Sequence, residues 1–285
     1  MDEFETTTSR SLDVADIRHQ LKTELLGTGN HIVYSPTVDS TNSQAMKLAR
    51  EGSEEGVVVL TDSQTAGKGR QGRRWVDVAG LNVLSSTVLR PLFPPYQLVM
   101  IASLAVVDTI ADICNIQATI KWPNDILIGE RKVAGILIET SHDQMGRLVA
   151  IMGIGVNANG HISHLSAEQP SLQQADAELL KRATTLEESS GHVVSREMFI
   201  ARLLYQIETR YLALQREAQA YVNGPISRLI REQWRNQLST LGRTIQVHQG
   251  SKLLSGVAED VNDQGELLLR SHSGECISIT WGDIE

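Results

Sequence analysis

Residues 98–113 read LVMIASLAVVDTIADI, a stretch whose only charges are Asp108 and Asp112. Leu98, Ile101, Ala102, Ala105, Val106, Ile110 and Ile113 recur at helical spacing, which predicts a helix over 97–113. A helix that is apolar over most of its surface has to be enclosed. This one falls short of the roughly 20 residues that cross a bilayer, so the enclosure is a protein core. The fold therefore has to surround one central helix with other elements.

Those elements are legible on both sides of it. Residues 40–52, STNSQAMKLAREG, predict a capped helix in which the Ser40 or Thr41 hydroxyl accepts from the first free N–H groups and Gly52 marks the stop. Apolar runs at 56–60, 82–89 and 148–157 predict strands, and 126–139 predicts a hairpin turned around Gly129 to Lys132. A long amphipathic helix should start at Ser195, with Glu197 in its first turn. Residues 160–192 are polar, with one helix expected. Beyond a helical stretch around Trp234, alternating segments at 244–247, 267–270 and 277–281 are broken by turns at 262–265 and 271–274, the texture of a small β-barrel. The expected division is a disordered N-terminus over 1–12, a main domain over 13–238 and a small barrel over 239–285.

Composition narrows the chemistry. The 285 residues hold 26 Lys+Arg against 34 Asp+Glu, a net charge of −8. That balance argues against broad nucleic-acid or membrane-surface binding, which usually needs a basic face. Cys114 and Cys276 lie far apart without C-x-x-C spacing and read as structural thiols in a reducing compartment. The acidic start MDEFETTTSR lacks the basic-then-apolar plan of a secretory signal, so a cytoplasmic protein is expected.

Against that acidic background residues 67–75 read GKGRQGRRW. The glycines match G-x-G-x-x-G, but a dinucleotide loop needs a helix opening at them and an acid about 20 residues later. Here the loop runs into Arg73, Arg74 and Trp75 with no helical stripe, and the region near Leu92 is rich in proline. The GIGVNA run at 153–158 fails in the same way, and the P-loop pattern fails because Gly69 follows Lys68. What remains is a glycine-relieved loop whose N–H groups can approach an anion closely, with Arg and Lys to neutralise carboxylate or phosphate. Trp75 adds a flat face for stacking. A solvated basic loop is the plain alternative. His161 and His164 have metal-like spacing but no evident third ligand.

A second cluster decides between them. Lys121-Trp-Pro-Asn-Asp125 places Asn124 and Asp125 at the hairpin entry, and Lys132 leaves its turn with a cation aimed at the same place. Together the motifs resemble the biotin protein ligases. The matching elements are Asp39-Ser-Thr-Asn42, the run from Gln64 to Trp75, Lys121 to Asp125, Arg131 to Glu139, and Gly153-Ile-Gly-Val-Asn157. They stand in the family's order and spacing, from about residue 30 to the C-terminus.

The resemblance implies an α+β fold: a mixed β-sheet with helices, related to class II tRNA synthetase cores, plus a small C-terminal SH3-like β-barrel. It implies a ligase that joins biotin to protein in two steps. The biotin carboxylate attacks the α-phosphate of MgATP, giving biotinyl-5′-AMP and pyrophosphate. A lysine of a biotin carboxyl carrier protein, from acetyl-CoA carboxylase or another biotin carboxylase, then takes the biotinyl group as an amide. Biotin is the substrate, ATP and Mg2+ are the implied cofactors, and no metal ligand of the chain itself is assigned.

Carried over residue by residue, the resemblance has Ser40, Thr41, Asn42 and Gln64 hold the biotin ring system. Lys68, Gly69 and Arg70 lie over the valeryl tail and adenylate, with Gly135 also in the biotin site. Lys132 bridges carboxylate and α-phosphate as the principal catalyst, with Arg70 beside it. Arg73, Asn124 and Asn157 contact ATP phosphates or their metal, and Trp75 packs near adenine. Lys68 stands where the family often has arginine, and the loop is expected to be mobile without ligand. Family members with a helix-turn-helix domain repress operons. About 30 residues precede the match here, so a ligase without repressor activity is expected, binding neither DNA nor membrane and compatible with a homodimer. Lipoate ligase is the near rival and a DNA-binding biotin sensor the distant one.

Overall fold

The computed structural model describes residues 11–162, 181–220, 224–250 and 252–284. The apolar segment forms helix α3 (Tyr96–Cys114), where Leu98, Ile101, Ala102, Ala105, Val106 and Ile110 are fully buried. It is preceded by α1 (Val14–Gln20), β1 (Ile32–Val38), α2 (Thr41–Arg50), β2 (Val58–Gln64) and β3 (Val83–Leu89). It is followed by β4 (Thr119–Lys121), β5 (Asp125–Ile128), β6 (Arg131–His142), β7 (Leu148–Val156), α4 (Leu186–Ser190), α5 (Arg196–Gln219) and α6 (Pro225–Asn236). Strands β1 to β7 form one sheet in the order β1-β2-β3-β7-β6-β5-β4. Only β1 and β2 pair in parallel, so the sheet is mixed.

The two faces of that sheet are divided by the period of two along each strand. Val58 and Leu60 of β2 and Ala150, Met152, Ile154 and Val156 of β7 join the large core with α3 and α5. Their neighbours Val59, Val149 and Ile151 point the other way and pack against Ala45 and Ala49 of α2. The sheet is thus covered by α3 on one side and by the shorter α2 on the other, which leaves part of the second face open.

Ser195 starts α5 as expected, its Oγ accepting from the Met198 N–H at 3.2 Å. Ser40 does not cap α2: it holds the N-cap position, but its hydroxyl makes no capping bond. The Thr41 N–H donates instead to Gln64 Oε1 (2.8 Å) and the Ser40 N–H to Asp39 Oδ1 (2.7 Å). A tertiary partner has replaced the local one, which frees the Ser40 hydroxyl. Leu12, expected in a disordered stretch, is 5% exposed in the core. Its N–H donates to Asp62 Oδ1 at 3.3 Å. Residues 1–10 and His164 lie outside the described residues.

The C-terminal segment is a five-stranded antiparallel sheet, β11-β10-β9-β8-β12, built from β8 (Thr244–Gln249), β9 (Lys252–Val261), β10 (Leu267–Ser271), β11 (Cys276–Ile279) and β12 (Asp283–Ile284). Strands β9 and β12 are the two that the alternation did not single out. This sheet is not a separate body: Val247, Ala258, Leu267 and Leu269 belong to the same core as α3. Trp122 closes the junction, its Nε1 donating to Gly265 O (2.9 Å) and its N–H to Thr240 Oγ1 (3.0 Å). Gly265 has φ +78°, and a Cβ there would stand 2.5 Å from Met100 Cε.

Candidate functional site

The open part of the sheet face is made by missing side chains. On the α2 side β7 presents Val149 and Ile151, then Gly153 and Gly155. Gly153 pairs with Ser86 of β3 and Leu137 of β6, and Gly155 with Leu84 and Gly135. Any side chain here would collide: a Cβ at Gly153 would lie 2.0 Å from Asn42 Oδ1, and one at Gly155 2.6 Å from Trp75 Cε2. At Gly135 it would lie 2.9 Å from Trp75 Cζ3. These glycines let Asn42 and the Trp75 ring come down onto the sheet.

One end of the depression is neutral and polar. Ser86 Oγ lies 2.6 Å from Asn42 Oδ1 and 2.7 Å from Thr41 Oγ1. Asn42 Nδ2 donates to Glu139 Oε2 at 2.8 Å, so both ends of the amide are fixed. Gln64 Oε1 accepts from the Thr41 N–H (2.8 Å) and Oγ1 (3.2 Å), which leaves the Gln64 amide nitrogen as the pocket's donor. Gln44 and the Ser40 N–H hold the Asp39 carboxyl below the ordinary carboxylate range.

The other end is cationic. The segment from Gly67 to Trp75 folds back on itself, with Trp75 N–H donating to Gly67 O (3.0 Å) and Gly69 N–H to Arg73 O (2.8 Å). Its turn uses positive φ at Gln71 (55°) and Gly72 (75°), and no α-helix opens at the glycines. Lys68 Nζ lies 3.5 Å from Glu139 Oε1, and Arg70 Nη1 donates to Asn124 Oδ1 at 2.8 Å. Asn124 is itself fixed, its Nδ2 donating to Ile136 O at 2.8 Å. Burial pushes the Arg70 guanidinium pKa down. Lys132 Nζ sits 2.6 Å from Asp125 Oδ1 and 5.6 Å from the Trp75 ring centre. The Trp75 Nε1 beside it is buried and has no hydrogen-bond partner among the described residues.

Ser40, Thr41, Asn42, Gln64, Lys68, Gly69, Arg70, Trp75, Asn124, Lys132 and Gly135 therefore line one pocket of about 480 Å3. Two candidates do not. Arg73 turns outward to pair with Asp283 of β12 at 2.5 Å, beside a second depression of about 1240 Å3 between the loop and β6. Asn157 is buried, accepting from Asn82 Nδ2 and donating to Thr184 O, both at 3.1 Å. Its amide is spent on the chain itself. Conversely, Ser86, Asp125 and Glu139 carry contacts that sequence reasoning gave no role. Ser86 was hidden in a strand read for its apolar residues, although a serine pair inside such a run is a usable signal. Gly153 and Gly155, two apart on a strand, mark a cleared face.

Such a pocket can hold a neutral polar ring at one end and anions at the other. Such cations can neutralise the carboxylate or phosphate groups of a ligand. Comparison with known proteins identifies the family. Residues 34–159 match the Biotin/lipoate A/B protein ligase family. The bifunctional ligase/repressor BirA of Bacillus subtilis is 34% identical over 266 residues, covering 92% of this chain and 76% of that protein. The biotin–[acetyl-CoA-carboxylase] ligase of Paracoccus denitrificans is 34% identical over 83% of this chain and 92% of its own length. Among solved structures, the biotin protein ligase from Aquifex aeolicus in complex with biotin and ATP superposes with a TM-score of 0.70 at 25% identity, covering 90% of this chain and 98% of that one. With its motifs gathered on one sheet face and its relatives aligned along nearly its whole length, the chain belongs to the biotin protein ligases, a family of ligase enzymes.

Proposed function

We propose that the pocket binds biotin and ATP and makes biotinyl-5′-AMP, from which biotin passes to a lysine of a biotin carboxyl carrier protein, that of acetyl-CoA carboxylase in the first instance. The observation that carries this reading is the polarity of the pocket. Asn42, Gln64 and the Ser40 and Thr41 hydroxyls gather at one end, and Lys68, Arg70 and Lys132 at the other. The neutral end suits a ureido ring. At the cationic end Lys132 and Arg70 offset the repulsion between the biotin carboxylate and the α-phosphate and stabilise the charge that builds between them. The partnerless Trp75 Nε1 and its ring, set on Gly135 and Gly155, offer a donor and a stacking face to the nucleotide. Mg2+ arrives with ATP, and among the described residues no cluster of His, Cys, Asp or Glu is grouped to hold a metal.

Arg73 reaches ATP phosphates in this reading only after leaving Asp283. Asn157 acts by shaping the strand end, not by direct contact. The C-terminal sheet is read as an SH3-like barrel whose edge, through Asp283, is coupled to the loop. The ligase is read as cytoplasmic, and the net charge of −8 favours one without operator binding, which a gel shift on operator-like DNA tests by staying negative. The direct test uses biotin and ATP labelled at the α-phosphate, without carrier. Biotin-dependent release of pyrophosphate with one bound biotinyl-AMP per chain is expected; ATP turnover indifferent to biotin would reject the reading.

A further inference from the structure

The loop between Gln64 and Asp77 is closed at its neck by a side chain. Its two stems run antiparallel and are joined by successive rungs. Gly69 N–H donates to Arg73 O (2.8 Å) and Trp75 N–H to Gly67 O (3.0 Å), with Lys68 and Arg74 bridged between them. Below the neck, Gly80 N–H donates to Asp62 O (3.0 Å). Between these backbone rungs stands Gln64, whose N–H donates to the Asp77 carboxylate instead. Asp77 is 9% exposed and lies two residues past the motif that ends at Trp75.

Two features set this rung apart. The donor lies 3.3 Å from Oδ1 and 3.2 Å from Oδ2, so the two oxygens share it almost equally. A stem that swings trades one oxygen for the other and keeps the bond, as a hinge pin does. The second feature is the charge. Burial pushes the Asp77 pKa up, against the Gln64 N–H, Ser63 and Arg74, so placing a carboxylate here is costly. Satisfying one N–H does not require it, since the neighbouring rungs use carbonyl oxygens. What a carboxylate adds is a stronger, charge-assisted bond at one point of the neck.

The pin joins residues that serve the two ends of the pocket. Gln64 Oε1 accepts from Thr41, which leaves its amide nitrogen to the ring end. Trp75, two residues before Asp77, rests on Gly135 and Gly155 at the cationic end. Glycine at 67 lets the stems come this close: a Cβ there would stand 2.5 Å from Trp75 O and 3.1 Å from Gln64 Nε2. The ring-end donor and the stacking face are therefore carried on one closed neck.

Resting on the adenylation reading above, we propose that Asp77 is a positioning residue for that reaction: it holds Gln64 and Trp75 at one spacing, so that biotin at the ring end and ATP at the cationic end tighten each other's binding. Asp77 touches neither ligand. It acts through the Gln64 N–H and the stem that carries Trp75. A ligand that fixes one stem fixes the other through the pin, and the second ligand then meets a site already ordered.

The test measures that coupling in the full chain by calorimetry, with biotin and α,β-methylene-ATP, whose bridging carbon blocks release of pyrophosphate. In the wild type each ligand should tighten the other about 5- to 150-fold, the usual range of coupling between two sites. Asp77→Ala should bring that factor to within about twofold of none. Asp77→Asn, whose amide oxygen still accepts from the Gln64 N–H, should keep most of it. A side chain that served stability alone would lower the melting temperature on removal and leave the coupling unchanged. Unchanged coupling in folded Asp77→Ala, or equal loss in Asp77→Asn, would overturn the assignment. Hydrogen exchange tests the pin without any substitution: in the ligand-free wild type the Gln64 amide should be protected while those of Gln71 and Gly72 exchange freely. An unprotected Gln64 amide would overturn it too. A wild-type chain that binds neither ligand sinks the adenylation reading, whereas one that binds both independently sinks only the role of Asp77.

Discussion

The pocket floor and the loop above it reach the same volume by opposite means. On the floor, Asn42 is held at both ends of its amide and Gln64 at its oxygen, and three glycines are cleared to within van der Waals limits of their neighbours. In the loop, Lys68 is held by Glu139, Arg70 by Asn124, Arg73 by Asp283 and Arg74 by the Thr65 carbonyl. A fixed floor loses little entropy when a ring binds. Single, partly exposed ion pairs are worth no more than about 1 kcal/mol each and are readily exchanged for a ligand's anions. On the proposed function, recognition of the ring is therefore preorganised, and neutralisation of charge is supplied by groups whose contacts are readily exchanged.

The largest effect should come where the two regions meet. Lys132→Ala should lose on the order of 3 kcal/mol of transition-state stabilisation in adenylate formation, as when one oxyanion donor is removed. Near-normal adenylation in single-turnover kinetics would refute the role. The floor is broken next. Gly153→Ala drives a Cβ against Asn42 Oδ1 and should cost about 1–3 kcal/mol of biotin binding, read by calorimetry. Retained affinity would show that the floor yields as easily as the loop.

Arg70→Gly should raise the release rate of biotinyl-AMP by about tenfold, in line with one charge-assisted hydrogen bond, while leaving the binding of biotin alone nearly intact. The smallest effect probes the loop's tie to the C-terminal sheet. Asp283→Asn should change stability by less than about 1 kcal/mol yet speed hydrogen exchange of the amides between Gly67 and Trp75 in the ligand-free chain. If the β3 and β7 amides quicken equally, the contrast between floor and loop is gone.

Much of this was legible beforehand because it rests on periodicity. The enclosed helix α3, the hairpin β5–β6 and the strands β2, β3 and β7 follow from apolar spacing alone. The pocket residues followed from the resemblance that the motifs carry to the biotin protein ligases, residue by residue, and not from spacing. What stayed hidden depends on tertiary pairing. Ser40 has the look of a cap, and only the fold brings Gln64 within 2.8 Å of the Thr41 N–H to take over that duty. Asn157 has the look of a ligand, and only the fold shows its amide engaged by Asn82 and Thr184; Arg73 likewise stands paired with Asp283. Ser86 and Glu139 gain meaning only when β3, β6 and α2 are stacked around Asn42.

One measurement bears on the whole account: ATP-dependent transfer of biotin to a purified carboxyl-carrier domain, run beside a lipoyl domain supplied with lipoate. The account predicts one biotinyl amide on the carrier lysine, requiring ATP, and no product on the lipoyl domain. Lipoylation without biotinylation, or no transfer to either domain by folded protein, would contradict it.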